Sequence, residues 1–462
     1  LIFFYTRIHI CIAYFLTFLY MKVATSTRQA IGKIQETIGE KVKIAGFVQT
    51  IRDQGNIQFL IIRDISGIVQ VVVTKSNPEA MKVAKSLSLE SVVEVVGLVK
   101  SEKQAPNGIE ILAENLKVLS LAEPELPIPI IEKSQDETDQ QVRLDWRWLD
   151  LRKPEKALIF KVWTVMEQAF RSYCIQNGFL EIHSPKITAT ATESGSELFE
   201  VKYFERKVHL AQSPQLYKQM AMASGFERVF EVGPVFRANP SFTSRHDTEF
   251  TMYDIEMSYI DSHHDLMNTE ENMVVAMIQS VKEQYGDDIL QVYGRETMVP
   301  KTPFPRLTLK EAKEILRGLG VPNERGDDMS PEEERAISEY ILKETGSEFV
   351  FIHEFPTSVR AFYSMRKEGD PSVTKSFDLL WNGLEITSGA QREHRVEQLK
   401  KQIEEQGLNV KSFESYINFF RYGCPPHGGF APGPTRMLMK LLGISNVREV
   451  TYLYRGVKRI TP

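Results

Sequence analysis

Three separated stretches of the chain carry side chains suited to holding phosphate. The first, "GPVFRANPSFTSRHDTEF" (residues 233–250), holds Arg237, Arg245 and His246. Apolar alternation flanks it, "RVFEV" before and "FTMYDIEM" after, so it reads as two strands joined by a polar loop. Cations at the mouth of a hairpin make an anion site; the bland reading is a solvated turn. The second, "SFDLLWNGLEITSGAQREH" (residues 376–394), offers Asp378, Glu385 and Ser388 on two strands paired about Asn382-Gly383. Oxygen-only ligands facing one cation suit Mg²⁺ shared with phosphates. The third, "GGFAPGPTRMLMKLLG" (residues 428–443), places Arg436 at the start of an apolar helix. Ser213, Gln215 and Lys218 lie just before the hairpin in "LAQSPQLYKQMAMASGFERVF". Together these residues describe a nucleoside triphosphate site without a P-loop and without the glycine-rich kinase loop. ATP would then be held by arginines on an antiparallel sheet.

The elements around these stretches fall into two kinds. Residues 40–120 contain five β-rich runs, with one helical stretch, "NPEAMKVAKSL", between the third and fourth. That order is the signature of an OB-type barrel, a binder of single-stranded nucleic acid. Residues 121–142 are Pro- and acid-rich and read as a linker. From 143 to 462 helices and antiparallel strands alternate, an α+β pattern. "PEKALIFKVWTVMEQAFRSYCIQNGF" puts Leu158, Val162, Val165, Met166, Ala169, Phe170 and Tyr173 on one helical face, with Gly178 at its end. "FLEIHSPKI" follows as a strand stopped by Pro185. Ser330 and Glu333 form a capping box with Pro331 between them. His263 and His264 lie in a polar turn, where the ordinary reading is a solvated pair rather than a metal site.

Composition is that of an ordinary globular chain: 42% hydrophobic, 25% charged, net charge −5. Cys11, Cys174 and Cys424 lie far apart and form no C-x-x-C pair. That argues against a disulfide framework and against a cysteine zinc site, and fits a reducing cytoplasm. The first twenty residues are apolar and nearly long enough to span a bilayer. A signal peptide or membrane anchor is one reading; with Met21-Lys22 opening a globular-looking sequence and no small-residue cleavage site before it, the favoured reading is a mis-called start, and no membrane partner is expected.

From about residue 30 to the end, the chain resembles class II aminoacyl-tRNA synthetases, and within them aspartyl-tRNA synthetases of the archaeal and eukaryotic type. "GFLEIHSPKI" resembles motif 1, whose Pro185 would sit at a homodimer interface; "VFRANPSFTSRHDTEF" resembles motif 2 and "GGFAPGPTRMLMKLLG" motif 3. "QSPQLYKQ", "ITSGAQREH" and "RYGCPPHGGF" occur in the family's order. The resemblance implies an anticodon-binding barrel over 21–120 and a catalytic domain over 143–462. It implies that Arg237 clamps the ATP α-phosphate and the substrate carboxylate. His246 and Arg245 would meet the β- and γ-phosphates, Arg436 would hold the γ-phosphate end, and Phe250 would lie in the core or near the adenine. Arg237 and Arg436 are thus the catalytic pair, and Asp378, Glu385 and Ser388 the magnesium ligands. Lys218 and Arg392 would bind the side-chain carboxylate of L-aspartate and Asp254 its ammonium, with Glu193, Ser213, Gln215 and Ser388 completing the pocket. The competing readings are a surface lysine for Lys218 and, for Arg392, an ion pair with Glu385 or Glu393. In the barrel, Phe59 would stack on an anticodon base while Arg52 and Gln70 read base edges; the competing reading makes Phe59 core.

Two departures touch the ATP pocket. Asn239 stands where the family has glutamate, and Ala431-Pro432-Gly433 where it has Gly-Leu-Gly. Gln49 and Pro106 stand where tRNA-discriminating members carry Trp and Lys, the pattern of relaxed enzymes that charge both tRNA-Asp and tRNA-Asn and depend on an amidotransferase partner. The rivals are an asparagine- or lysine-specific relative, a paralogue that makes asparagine from the adenylate, and a non-catalytic RNA-binding paralogue.

Overall fold

The computed structural model describes residues 28–132, 137–189, 198–240 and 243–462. The apolar segment 1–20 and Glu193 lie outside the described residues. The chain divides after Pro129 into two compact units.

In the first unit, β1 (Lys41–Asp53), β2 (Ile57–Asp64), β3 (Gly67–Thr74), β4 (Val92–Ser101) and β5 (Ile109–Ser120) close a barrel in the order β1-β2-β3-β5-β4. The helix α1 (Pro78–Lys85) lies between β3 and β4, with Asn77 capping its start by accepting from the amide of Ala80. Strict alternation sends Val93, Val95 and Val99 of β4 inward. The same strand carries Gly97, where an added Cβ would stand 2.2 Å from the carbonyl oxygen of Leu112, so the closure of the barrel requires glycine there. Phe59 is half-buried and outside the barrel core, on the outer face.

In the second unit, α2 (Pro154–Gln176) leads to β6 (Leu180–Glu181), then α3 (Gln215–Ala223), β7 (Arg228–Phe236), β8 (Glu249–Ser258) and the long α4 (His263–Tyr293). After these come β9 (Arg306–Thr308), α5 (Leu309–Gly318), α6 (Pro331–Thr345), β10 (Phe349–His353), β11 (Ser376–Trp381), β12 (Leu384–Gln391), α7 (Glu414–Arg421), β13 (His427–Pro432) and α8 (Pro434–Leu442). The eight strands form one sheet in the order β9-β10-β11-β12-β13-β8-β7-β6. The pairs are antiparallel except β9 with β10 and β6 with β7 at the two edges. One face is covered by α2 and α4: Leu158, Val162, Met166 and Phe170 pack with Met273, Met277, Tyr253, Ile255, Phe377 and Leu379. The Asn382-Gly383 turn has positive φ at both residues, 45° and 76°, as a two-residue hairpin requires.

Two elements differ from expectation. The strand at "FLEIHSPKI" is two residues long, and beyond Pro185 the chain joins a separate three-stranded sheet through Ile187–Thr188. Proline supplies no N–H for a ladder, so the run is split. The segment before α2 buries a charge network that no periodicity announces. Arg147 donates to Asp150 at 2.6 Å and to the carbonyls of Glu449 and Thr451, while Lys153 donates to Glu132 at 2.8 Å.

Glu270 of α4 is fully buried, and its carboxylate oxygens have no hydrogen-bond partner among the described residues. Burial, opposed by the nearby Thr387 hydroxyl and reinforced by Asp378 and Glu271, pushes its pKa up to about 8. A folded-state pKa above the unfolded one means the unfolded chain gives up this proton first. Stability is therefore lost as pH rises from the ordinary carboxylate range to about 8. Glu270→Gln is expected to gain on the parent by about 1.4 kcal/mol per pH unit across that window, as an upper figure. Denaturant unfolding of both proteins at pH 5 and pH 8 tests this. Equal differences at the two pH values would contradict it.

Candidate active site

The face of the sheet away from α2 and α4 carries a cleft of about 400 Å³. Period-two alternation places its side chains. Phe250, Met252, Asp254 and Glu256 fall on one face of β8, and Ser376 and Asp378 on the same face of β11. Glu385 and Ser388 on β12 are three residues apart and would point oppositely in a regular strand. A bulge opposite Leu379 and Leu380 absorbs the odd residue, Ile386, so both line the cleft. Ser213, Gln215 and Lys218 come from α3 and the residues before it, Arg237, Asn239, Arg245 and His246 from the β7–β8 loop, and Gly433 and Arg436 from the start of α8.

At one end lie the groups expected to meet phosphates. Arg237 is the residue after β7; its amide donates to Thr248 across the hairpin mouth and its guanidinium sits 5.6 Å from the centre of the Phe250 ring. Phe250 therefore lines the cleft and is not core. Arg436 donates to the carbonyl of Glu385 at 2.8 Å and lies 3.5 Å from its carboxylate. Arg245 pairs with Glu334 at 2.9 Å. His246 lines the same end of the cleft. Burial, with repulsion from Arg436 and Arg245, lowers its pKa, and its Nδ1 meets the Thr243 hydroxyl at 2.5 Å. Gly433 is not demanded by the fold: an added Cβ would make only ordinary contacts, 3.7 Å to Ile386 O and 3.8 Å to Arg436.

The carboxylates expected to hold magnesium come together, with a competitor that the sequence reading missed. Asp378 and Ser388 are direct cross-strand partners. Arg360 donates to Asp378 Oδ2 at 2.6 Å and to Ser388 Oγ at 3.0 Å, its guanidinium 3.8 Å from the Phe355 ring centre. Asp378 Oδ1 is buried and has no hydrogen-bond partner among the described residues. Burial and the nearby Glu385 push the Asp378 pKa up to about 6 against the pull of Arg360. An orphaned carboxylate oxygen beside a second carboxylate and a hydroxyl is a donor set that fits a hard divalent cation.

At the other end, Lys218 and Arg392 converge on a buried acid, Glu256. Arg392 donates through Nε and Nη2 to its two oxygens at 3.0 and 3.2 Å, and Nη2 also to Gly429 O. Nη1 makes no hydrogen bond among the described residues, and Arg392 lines the cleft. Lys218 has Asp254 Oδ1, Ile255 O and Glu256 Oε2 within 3.2 Å, three oxygens for its three donors. The partner of Arg392 is neither Glu385 nor Glu393 but Glu256, and Glu393 instead pairs with Arg395. Lys218 is buried, not a surface lysine. Behind the pocket, His427 donates from Nδ1 to Pro425 O at 2.8 Å and accepts from Gln219 at 3.0 Å. Tyr416 and Gln215 both donate to the Gln219 oxygen at 2.9 Å. Burial drops the His427 pKa to about 4 and keeps it neutral. The "CPPHGGF" stretch, with histidine followed by two glycines in a tight strand, was the available signal for this floor.

In the barrel, Arg52 and Phe59 are cross-strand partners, the guanidinium 5.8 Å from the ring centre. Gln70 is two residues from Phe59's other partner, Val72, on the same face, and donates to Glu110 at 3.0 Å. Gln49 is the bulge residue of β1 and accepts from Arg63 at 3.1 Å. Pro106 opens the short 3₁₀ turn before β5.

An antiparallel sheet carrying arginines and paired carboxylates at one cleft is the arrangement of a class II ligase. Residues 139–455 match the family model "tRNA synthetases class II (D, K and N)", and residues 42–119 match "OB-fold nucleic acid binding domain". The chain belongs to this class II synthetase family. Among its relatives is the aspartate–tRNA(Asp) ligase of Pyrococcus abyssi, 45% identical over 430 residues, 93% of this chain and 98% of that protein. The aspartate–tRNA(Asp/Asn) ligase of Aeropyrum pernix is 43% identical over 438 residues, 94% and 98% of the two chains. Among solved structures, asparaginyl-tRNA synthetase of Pyrococcus horikoshii with asparaginyl-adenylate superposes with a TM-score of 0.88 at 34% identity, covering 95% of this chain and all of that one. Aspartyl-tRNA synthetase of Entamoeba histolytica gives 0.83 at 32%, covering 96% and 94%. The fold is thus shared by enzymes for both amino acids, and the choice between them has to come from the pocket.

Proposed function

We propose that this chain is an aspartate–tRNA ligase that activates L-aspartate with ATP and transfers it to the 3′ end of tRNA. The observation that carries the choice of amino acid is the buried pair Lys218 and Arg392, both of which line the cleft. A neutral amide would leave that charged pair poorly matched, and a lysine ammonium would be repelled. In the first step the aspartate α-carboxylate attacks the α-phosphorus and pyrophosphate leaves. A carboxylate is already nucleophilic at neutral pH, so no general base is required. The chain's own part is to position the reactants and to offset charge on the phosphate oxygens through Arg237 and Arg436. Asp254 would take the substrate ammonium, with Ser213 and Gln215 beside it. Magnesium, held by Asp378, Glu385 and Ser388 once Arg360 swings aside, would neutralise phosphate charge. In the second step a ribose hydroxyl of the terminal adenosine attacks the activated carbonyl and AMP leaves.

Pyrophosphate exchange with aspartate, asparagine and lysine in parallel tests this reading. Exchange with aspartate alone is expected, and exchange with asparagine alone would replace it by the asparagine enzyme. Asn239 lies in the cleft, where a weaker hold on adenine would appear as a raised KM for ATP.

The barrel would read the anticodon through Phe59, Arg52 and Gln70. Phe59→Ala is expected to weaken tRNA binding by about 10-fold or more, from stacking of about 1–3 kcal/mol per base, with exchange unchanged. Filter binding alongside exchange checks this, and a parallel fall in both would place Phe59 in the fold instead. Gln49 and Pro106 support charging of both tRNA-Asp and tRNA-Asn, which would require an amidotransferase partner. Failure to aspartylate a tRNA-Asn transcript would remove that extension. A cytoplasmic homodimer meeting near Pro185, which is exposed, completes the reading.

A further inference from the structure

The face of the sheet opposite the cleft holds a second cluster of donors. His263 and His264 are the first two residues of α4, after the cap Ser262. His353 ends β10. It pairs with Phe377, while its neighbour Ile352 pairs with Asp378. Adjacent strand residues point to opposite faces, so His353 turns away from the carboxylates of the cleft and toward α4. Each of the three imidazoles offers one nitrogen, and those nitrogens lie within 4.8 Å of one another. His263 Nε2 and His353 Nδ1 are 3.3 Å apart. Two nitrogens bound at 2.0–2.1 Å to a tetrahedral ion stand about 3.3–3.4 Å apart, so this pair already has the required bite.

The two facing rings are shielded from solvent. His263 is 5% exposed, and its Nδ1 is buried with no hydrogen-bond partner among the described residues. His263 Nε2 and His353 Nδ1 are within hydrogen-bond distance, so one ring donates to the other, and a cation bound between them would displace that shared proton. His264 is only partly buried, which opens the third side of the cluster to solvent. The charged groups acting on the three rings are of both signs: Glu354, Glu311 and Asp265 against Arg306, Lys367 and Lys375. Lys367 is itself held by Glu354.

We propose that His263, His264 and His353 form a binding site for a divalent transition metal, Zn²⁺ by its nitrogen-only donor set, with a fourth position open to solvent. The metal would fasten the start of α4 to the end of β10. It is distinct from the magnesium expected in the cleft, which oxygen ligands hold on the other face.

Co²⁺ titration of tag-free full-length protein tests the site, because tetrahedral Co²⁺ absorbs strongly in the visible and oxygen-bound octahedral Co²⁺ does not. One equivalent per chain with an intense visible band, displaced by Zn²⁺, is expected. His264→Ala, at a partly exposed position, and His353→Gln should abolish the band, whereas Asp378→Asn should keep it. Zn²⁺ should raise the thermal midpoint of the parent protein but not of His264→Ala. No band in the parent protein, a band that survives His264→Ala, or a Zn²⁺ shift equal in both proteins would overturn the proposal.

Discussion

Arg237→Ala is expected to lower the rate of aspartate-dependent pyrophosphate exchange by about 10²–10³-fold at saturating ATP and aspartate, the typical cost of removing one preorganised charge-stabilising donor. Three features make Arg237 the position where this loss should be large. It is the residue immediately after β7, and its amide is tied to Thr248, so the backbone that aims it is part of the hairpin ladder. Its guanidinium is set against the Phe250 ring and directed by Gln212 O at 3.5 Å, which restricts its rotamers before any ligand arrives. Charge on the phosphate oxygens changes as pyrophosphate departs, so a donor fixed in advance stabilises the transition state more than the bound substrate. Arg237→Lys should recover little, because an ammonium lacks the planar fork that meets two oxygens at once. The side chain is only partly buried, so both variants should unfold close to the parent protein. A fall confined to KM, with kcat unchanged, would assign Arg237 to uniform binding and remove it from the catalytic pair.

The contrast between what could be read along the chain and what could not follows from the range of the interactions. The NG turn, the alternation on either side of the Arg237 loop, the amphipathic face of α2 and the capping box at Ser330 are local signals, and each appears where its spacing puts it. The barrel follows from five alternating runs and one capped helix in the expected order. Arg360 had no such signal. It lies 18 residues from Asp378 and 28 from Ser388, outside any periodic stretch, and only the folded sheet brings them into contact. Glu256 was hidden differently. It continues the even-numbered face Phe250, Met252 and Asp254, but an acid within "FTMYDIEM" reads as the solvent side of a half-buried strand until two cations are found across from it. His263 was misjudged for a related reason, since a polar turn in sequence became a helix start buried beneath β10. In each case the missing information was a partner distant in the chain.

Arg392→Leu is expected to lower kcat/KM for aspartate by roughly 10³-fold or more, a loss of the size seen when a polar site is deprived of its matching group. The substitution removes Nη1, a donor with no hydrogen bond among the described residues, and also strips Glu256 of its bidentate partner. Glu256 is fully buried, and its pKa is held below the usual carboxylate value because Arg392 and Lys218 outweigh the penalty of burial. With only Lys218 left, the acid is undercompensated, and truncating one member of a buried pair costs about 3–5 kcal/mol. Activity loss in the leucine variant could therefore come from the pocket or from the fold. Arg392→Lys separates the two. A lysine keeps a positive charge against Glu256, so the thermal midpoint should lie close to the parent value. It lacks the second arm that meets the substrate, so KM for aspartate should rise by about 10–100-fold with a smaller change in kcat. A lysine variant with normal KM would mean that charge alone suffices. The discrimination against asparagine would then rest on Lys218 and its exchange among Asp254, Ile255 and Glu256.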